Sequence, residues 1–342
     1  MTLLYFDGFE SGEATSRPEW GQVTTSFNAV TPRTGSYSLA SGIAAGNPLT
    51  LPGGPVAQLI IGFAWRMSSG GFGLVSIYGD TNTTQHLTVM HNAAGNIELR
   101  RGGTAGTLLG TSAASFPFAQ YRHLQVKATI HDTTGICQVR VDGVTVIDYS
   151  GDTKSGGTAD TIDTVRLLLS SGSSLLLDDL WICNGVDATA TQGRPNNDWM
   201  GDLKVSGLLP SAAGDSTQMT PSTGTNWSCV DDSLITGVGD FVTSTAAAQR
   251  DLYQLVDLLP AAVSVFGVRV ASYGQKTDAG LYGVKHLLKE NGVVTADSTP
   301  RPLSTNFAGA TGGTYYKRPS DNAMWTVSDV NALQAGIEAV QM

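Results

Sequence analysis

Acid–base chemistry on a glycosidic bond needs two carboxylates flanking it, one protonated and one ionised. The six glutamates, Glu10, Glu13, Glu19, Glu98, Glu290 and Glu338, include no two that sit two apart on one strand, the spacing that would put a pair on a common face. The doublet Asp178-Asp179 is the most tempting acidic pair. Adjacent strand residues point to opposite faces, so these two should not converge on one substrate or ion, and binding of turn amides or water is the plainer expectation. Asp80, in Gly79-Asp80-Thr81-Asn82, offers oxygen to a calcium ion at a rim, but one Asp among turn formers reads better as a turn cap.

The remaining residue types yield no reactive constellation. His86 and His91 are five apart, on opposite faces of a continuous strand, and His123 and His131 lie at the two ends of another, so neither pair suits one metal ion. No Gly-x-Ser-x-Gly elbow is present. Gly70-Gly71-Phe72-Gly73 and Gly309-Ala310-Thr311-Gly312-Gly313 lack the Lys-Ser/Thr of a phosphate loop. Cys137, Cys183 and Cys229 are too few and too scattered for a disulfide framework or a metal knuckle, and read as buried free thiols. The expectation is a chain without catalytic, metal-binding or cofactor-binding residues, and not an enzyme.

Six tryptophans carry the remaining recognition potential: Trp20, Trp65, Trp181, Trp199, Trp227 and Trp325. Trp65 and Trp181 lie in expected strands and should be core. Trp199 stands near an expected connector, where it packs between domains or forms an interface with another subunit; it is the interface candidate.

These residues must be positioned by strands. Only 14% of the 342 residues are charged, so the polar surface is mostly Ser, Thr, Asn and Gly, which are turn formers rather than helix formers. Leu124, Val126, Ala128 and Ile130 alternate with polar residues, and Val139 and Val141 follow after a turn. Asp142-Gly143 has the composition of a two-residue type I′ turn that sets Val141 opposite Val144 and Val139 opposite Val146. Ile97 and Leu99 face one way, Glu98 and Arg100 the other, after a turn at Ala94-Gly95-Asn96. Leu175–Ile182 is apolar on both parities and should be covered on both sides.

Between Asn184 and Asp202 the pattern lapses, which places a first domain at 1–186, a connector at 187–200 and a second domain at 201–342. In the second, residues 252–256 and 263–270 read as strands, Leu287–Val294 as a hairpin on Asn291-Gly292, and Ser328 as the cap of a short helix through Leu333. The fold class is therefore all-β: two consecutive antiparallel β-sandwich domains, the second mostly β with one short helix near the C-terminus.

Net charge is −9, with no basic run longer than the pairs Arg100-Arg101 and Lys317-Arg318, which argues against nucleic acid as a partner. No apolar stretch approaches the ~20 residues of a membrane span, and Met1–Asp7 is not built as a secretion signal. Membrane insertion is not expected, and the protein should be made soluble in the cytoplasm of its host cell.

The opening Tyr5-Phe6-Asp7-Gly8-Phe9-Glu10, the edge segment Thr34–Leu39, the hairpin of Tyr121–Val126 with Thr134–Gly143, and the closing Leu177–Ile182 together resemble the laminin-G/concanavalin-A-like jelly rolls of tailed-bacteriophage structural proteins. The Glu-x-Asp-x-x-Glu motif of the glucanases of that fold is missing. Residues 201–227, with Thr217–Trp227 at their end, and the closing Trp325–Leu333 resemble the C-terminal part of such phage proteins. The resemblance implies a non-enzymatic virion component, of tail, baseplate or capsid surface, whose partners are other phage structural proteins and copies of itself. The alternative is a glycan- or receptor-binding adhesion module, with a host-surface glycan as partner.

Overall fold

The computed structural model describes residues 3–10, 26–40, 48–168, 175–185, 199–232 and 239–342. They fall into two compact units, the first running to Val205 and the second from Ser206 to Met342. Trp20, Glu13, Glu19 and the expected connector, apart from its last two residues, lie outside the described residues.

The first unit contains β1 (Leu3–Asp7), β2 (Ser26–Asn28), β3 (Ser38–Ala40), β4 (Pro48–Thr50), β5 (Gln58–Arg66), β6 (Phe72–Gly79) and β7 (Thr84–His91). It continues with β8 (Asn96–Arg101), β9 (Thr107–Ser115), β10 (Arg122–Thr129), β11 (Gly135–Val141), β12 (Val144–Gly151), β13 (Thr164–Leu167) and β14 (Leu176–Cys183). One sheet has the order β12-β11-β10-β5-β14-β3-β2, with β1 also paired to β14; the other runs β4-β13-β6-β7-β8-β9. Leu59, Ile61, Phe63 and Trp65 of β5 and Leu124 and Val126 of β10 meet Ile77, Leu87, Val89, Ile97 and Leu99 of the second sheet in one buried cluster. Alternation along each strand thus builds the jelly-roll sandwich, since period 2 delivers every second side chain to the interior.

β14 is buried along its whole length, as its two-sided apolar pattern requires. Its outer side is covered within the same unit: Cys183 Sγ lies 3.2 Å from Met200 Sδ, and Trp181 is 1% exposed over Gly62, where a Cβ would stand 2.3 Å from the indole. Trp65, also 1% exposed, is core. All three cysteines are free and buried.

The hairpin at Asp142-Gly143 forms with φ of 50° and 83°, as a type I′ turn demands, and Val141 pairs with Val144. One residue further the register slips. Val139 faces Ile147 rather than Val146, because a bulge inserts Val146 between Val139/Ile147 and Arg140/Thr145.

The second unit contains β15 (Pro210–Thr217), β16 (Thr220–Pro221), β17 (Val242–Thr243), β18 (Arg250–Leu255), β19 (Ala271–Gly274) and β20 (Tyr282–Glu290). After these come β21 (Val293–Ala296), β22 (Arg301–Pro302), β23 (Ala308–Thr311), α1 (Val327–Asn331) and β24 (Gln334–Gln341). A sheet of order β15-β18-β24-β20-β21, with β22 on β20, is accompanied by the ribbons β16-β17 and β19-β23. Asn291 and Gly292 turn β20 into β21 with φ of 48° and 78°. Leu288, Trp325, Val330 and Leu333 form a buried cluster.

Two local expectations are corrected here. Residues 263–270 are not a strand: Val263 is 92% exposed, and the segment makes a single bridge, Val268 with Tyr315, while Val265, Val268 and Val270 pack on the Trp325 cluster. Apolar alternation here supplies packing without setting the segment into a regular ladder. The helix is capped by Thr326, not Ser328. Thr326 Oγ1 accepts from Asp329 N while the Asp329 carboxylate accepts from Thr326 N, a reciprocal capping box.

Candidate functional site

The loop that joins β8 to β9 and the loop that follows β12 come together at one end of the first unit around an open cleft of about 510 Å³. Its lining includes Arg101, Thr107, Asp152, Lys154 and Ser155, interspersed with glycine backbone at Gly102, Gly103, Gly106 and Gly156. β9 and β12 are the edge strands of the two different sheets. Ile147 of β12 reaches within 3.0 Å of where a Gly110 Cβ would lie. The cleft is therefore a product of sandwich closure, since its two walls come from separate sheets.

The charged groups of the lining are each held by a neighbour. Arg101 pairs with Asp152, and Asp152 Oδ1 also accepts from Lys154 N at 3.1 Å. Lys154 Nζ donates to Asp160 at 2.9 Å and to Thr158 O at 3.2 Å, and the Asp160 hydrogen bond holds its ammonium above the usual lysine value. Gly102 N donates to His86 O at 2.8 Å, and Ser155 N to His86 Nδ1 at 3.3 Å. Burial lowers the His86 pKa, so its neutral imidazole anchors the post-β12 loop while its backbone carbonyl anchors the β8–β9 loop.

Behind this rim, Asp80, Thr81 and Asn82 all have positive φ, between 53° and 62°. That is costly for a β-branched Thr. Asp163 accepts from Thr81 N and Asn82 N at 2.7 and 3.1 Å. Asp80 Oδ1 accepts from Ala159 N at 3.0 Å and from the Thr158 backbone and hydroxyl at 3.2 and 3.0 Å. The bond from Ala159, with those from Thr158, holds the Asp80 carboxyl down to about 2. Asp80 thus acts as a cap that clamps residues 158–159.

Asp178 and Asp179 depart from the strand geometry expected of them. One extra residue bulges β14 against β5 between Asp178/Ala64 and Trp181/Gly62, and Asp179 takes φ of 53°. Both carboxylates then bind the same turn. Asp178 Oδ2 accepts from Arg33 N and Thr34 N at 2.9 and 3.2 Å. Asp179 accepts from Thr34 Oγ1 at 2.8 Å, Val205 N at 2.8 Å and the Arg33 guanidinium at 3.0 Å. Burial, with the adjacent Asp179 charge, pushes Asp178 up to about 7. The pair is a structural staple for turn amides, reached by a bulge that alternation could not reveal.

Trp199 is half-buried in the first unit. The Arg140 guanidinium lies 4.2 Å and the Lys127 ammonium 5.5 Å from its ring centroid, a cation–π arrangement on the outer face of β10 and β11. The histidines do separate jobs. His91 Nε2 meets the carbonyls of Gly95 and Phe116, His131 Nδ1 accepts from Thr133 N and Thr134 N, and His123 is 2% exposed, stacked on Trp181. Among the described residues no three His, Cys, Asp or Glu side chains group to hold a metal ion, and no helix is long and apolar enough to cross a membrane.

Sequence reasoning missed the cleft. Its only local signal is glycine beside basic residues, Arg101-Gly102-Gly103 and Lys154-Ser155-Gly156-Gly157.

No protein-family model matches the chain, and no curated protein matches it. Among solved structures, it is similar to the carbohydrate-binding module CBM66 from Bacillus subtilis, at 10% identity over 46% of this chain and 92% of that one, with a TM-score of 0.32. It is also similar to domain 4 of AbnA, a GH43 extracellular arabinanase from Geobacillus stearothermophilus solved with arabinotriose, at 14% identity, 53% and 91% coverage and TM-score 0.35. A third is alginate lyase Aly36B, at 15% identity, 52% and 92% coverage and TM-score 0.31.

Proposed function

We propose that the first unit is a glycan-binding module and that the cleft between the β8–β9 and post-β12 loops is its site. The observation that carries this reading is the Arg101–Asp152 pair on the cleft wall. A guanidinium beside a carboxylate offers a donor and an acceptor side by side, which matches a vicinal diol whose hydroxyls both donate and accept. Ser155, Thr107 and glycine amides add uncharged partners, and the clamps on Lys154 and residues 158–159 hold the walls in place before a ligand arrives. Because Arg101 and Lys154 are already paired with aspartates, a neutral oligosaccharide suits the cleft better than an acidic one. Among the described residues Asp152 is the sole carboxylate of that lining, where glycoside hydrolysis uses two; this supports binding over cleavage. A panel of neutral oligosaccharides titrated calorimetrically against the whole chain, with and without calcium, tests the reading. Saturable binding that Arg101→Ala weakens at least tenfold is expected; heat no different from buffer across the panel overturns it.

A second reading, compatible with the first, is a structural component of a particle. Its support in the second unit is apolar exposure within one loop, with Val256 at 44%, Leu259 at 72% and Val263 at 92%, next to a surface low in charge that sheds water at little cost. Trp199 is the interface candidate on the first unit. The tailed-phage assignment, with other particle proteins and further copies as partners, rests on the sequence resemblance alone. Light scattering on the purified chain and a particle reconstruction test it: a monomer at high concentration that is missing from particles ends this reading.

A further inference from the structure

His286 sits in the middle of β20, 2% exposed, with both ring nitrogens engaged. Nδ1 lies 3.0 Å from Asp297 Oδ2, just beyond the end of β21, and Nε2 lies 2.9 Å from Ser272 Oγ on β19. Asp297 is 6% exposed, and its other oxygen accepts from Gly313 N and Tyr315 Oη, each at 3.1 Å. Burial pushes the Asp297 carboxyl up, but the hydrogen bonds from His286, Gly313 and Tyr315 outweigh it and hold the group below its ordinary value. An ionised carboxylate only accepts, so the shared proton with His286 belongs on Nδ1. Nε2 is then the free lone pair, and the Ser272 hydroxyl donates to it. That is the tautomer a general base needs.

The serine is the most exposed of the three. Asp297 and His286 are buried, and Ser272 is half-buried on a two-stranded ribbon. Gly312 completes the packing: a Cβ there would meet Asp297 Oδ2 at 2.9 Å and His286 Cβ at 3.1 Å. The residue directly across from Ser272 is Ala310, whose single methyl adds little bulk beside the serine.

We propose that Ser272, His286 and Asp297 form a nucleophile, base and orienting carboxylate that give the second unit esterase activity toward short-chain acyl esters such as acetyl esters. Ser272 Oγ bonds to the ester carbonyl carbon as its proton passes to His286 Nε2. The carbon–alkoxide bond then breaks, and the Nε2 proton leaves with the alcohol, so Ser272 carries the acyl group. Water attacks that ester, gives its proton to Nε2, and the carboxylic acid departs as the proton returns to Ser272. Asp297 stays ionised throughout and holds the imidazole, and Tyr315 and Gly313 are positioning residues. This activity is separate from glycan binding by the first unit and stands or falls without it.

The test uses the full chain with p-nitrophenyl acetate, p-nitrophenyl octanoate and a fluorophosphonate probe read by peptide mass. Expected are hydrolysis of acetate above octanoate, a single label on Ser272, and loss of both in Ser272→Ala with an unchanged melting temperature. Asp297→Asn, which reverses the tautomer, should lower kcat by roughly 10²-fold to 10⁴-fold while leaving KM nearly unchanged. A folded wild-type chain that neither hydrolyses acetate above buffer nor takes up the probe overturns the proposal, as does labelling at a serine other than Ser272.

Discussion

Asp178 holds the backbone N–H of Arg33 at 2.9 Å, tying the closing strand of the first unit to a turn 145 residues earlier in the chain. The tie titrates. Burial and the Asp179 charge push Asp178 up to about 7 from an ordinary 3.8. Between those values the folded state binds the extra proton, so this contribution to stability is present at acid pH and is lost as pH rises through about 7. Removing the like charge with Asp179→Asn, a residue type at ease with positive φ, should move the Asp178 titration to lower pH. Carboxyl carbon NMR of Asp178 in the two proteins checks this; an unmoved midpoint counts against it.

His123 acts in the opposite sense over nearly the same window. Burial lowers its pKa to about 4 from 6.5, so the unfolded chain binds more protons and stability is lost as pH falls through that range. Both of its ring nitrogens are buried without a hydrogen-bond partner. In His123→Phe, which keeps the stack on Trp181, the denaturation midpoint should rise more steeply on acidification than in the wild type, on the order of 1 kcal/mol between pH 7 and pH 5. Parallel profiles for the two proteins would refute it.

Gly62→Ala should destabilise the first unit by on the order of 2–3 kcal/mol, because the new methyl falls 2.3 Å from the Trp181 indole in a packed interior. Urea unfolding followed by tryptophan fluorescence measures it. A loss below about 0.5 kcal/mol would mean that the indole moves aside freely.

In the second unit, Asp251 is fully buried and accepts from Gln218 N at 2.7 Å, Met219 N at 2.9 Å, Asn226 Nδ2 at 2.6 Å and Tyr253 Oη at 3.0 Å. Asp251→Ala takes the acceptor from four donors, of which Gln218 N keeps Arg250 O and Asn226 Nδ2 keeps Met219 O, and should cost about 3 kcal/mol. Hydrogen exchange at the Met219 amide should accelerate with it, and unchanged protection there would contradict the assignment.

Arg101→Ala and Asp152→Ala should each weaken neutral-glycan binding at least tenfold with little change in melting temperature, since both groups lie on an open wall rather than in the core. A double variant no weaker than the singles would show that they act as one unit.

What could be read from sequence was what is local. The Asp142-Gly143 and Asn291-Gly292 turns, the alternation through Leu124–Ala128 and the two-sided burial of β14 depend on residues a few positions apart. The slip at Val146 and the bulge at Asp179 depend on how the strand meets partners far away in the chain, and each re-aimed a side chain that alternation had placed elsewhere. The segment 263–270 carried a strand-like pattern but forms one isolated bridge, at Val268. The cleft joins loops from two sheets, and Ser272, His286 and Asp297 come from three separate stretches of chain. Neither leaves a contiguous motif.

The three interior sulfurs give this molecule built-in reporters of its own breathing. Burial raises the Cys137 thiol to about 12 and pushes that of Cys183 higher still, and thiolate is the species that reacts. Alkylation at neutral pH must therefore wait for an opening event. The modification rate at Cys137 and Cys183 reads out excursions of the first unit, and that at Cys229 reads out those of the second, without any label being engineered in.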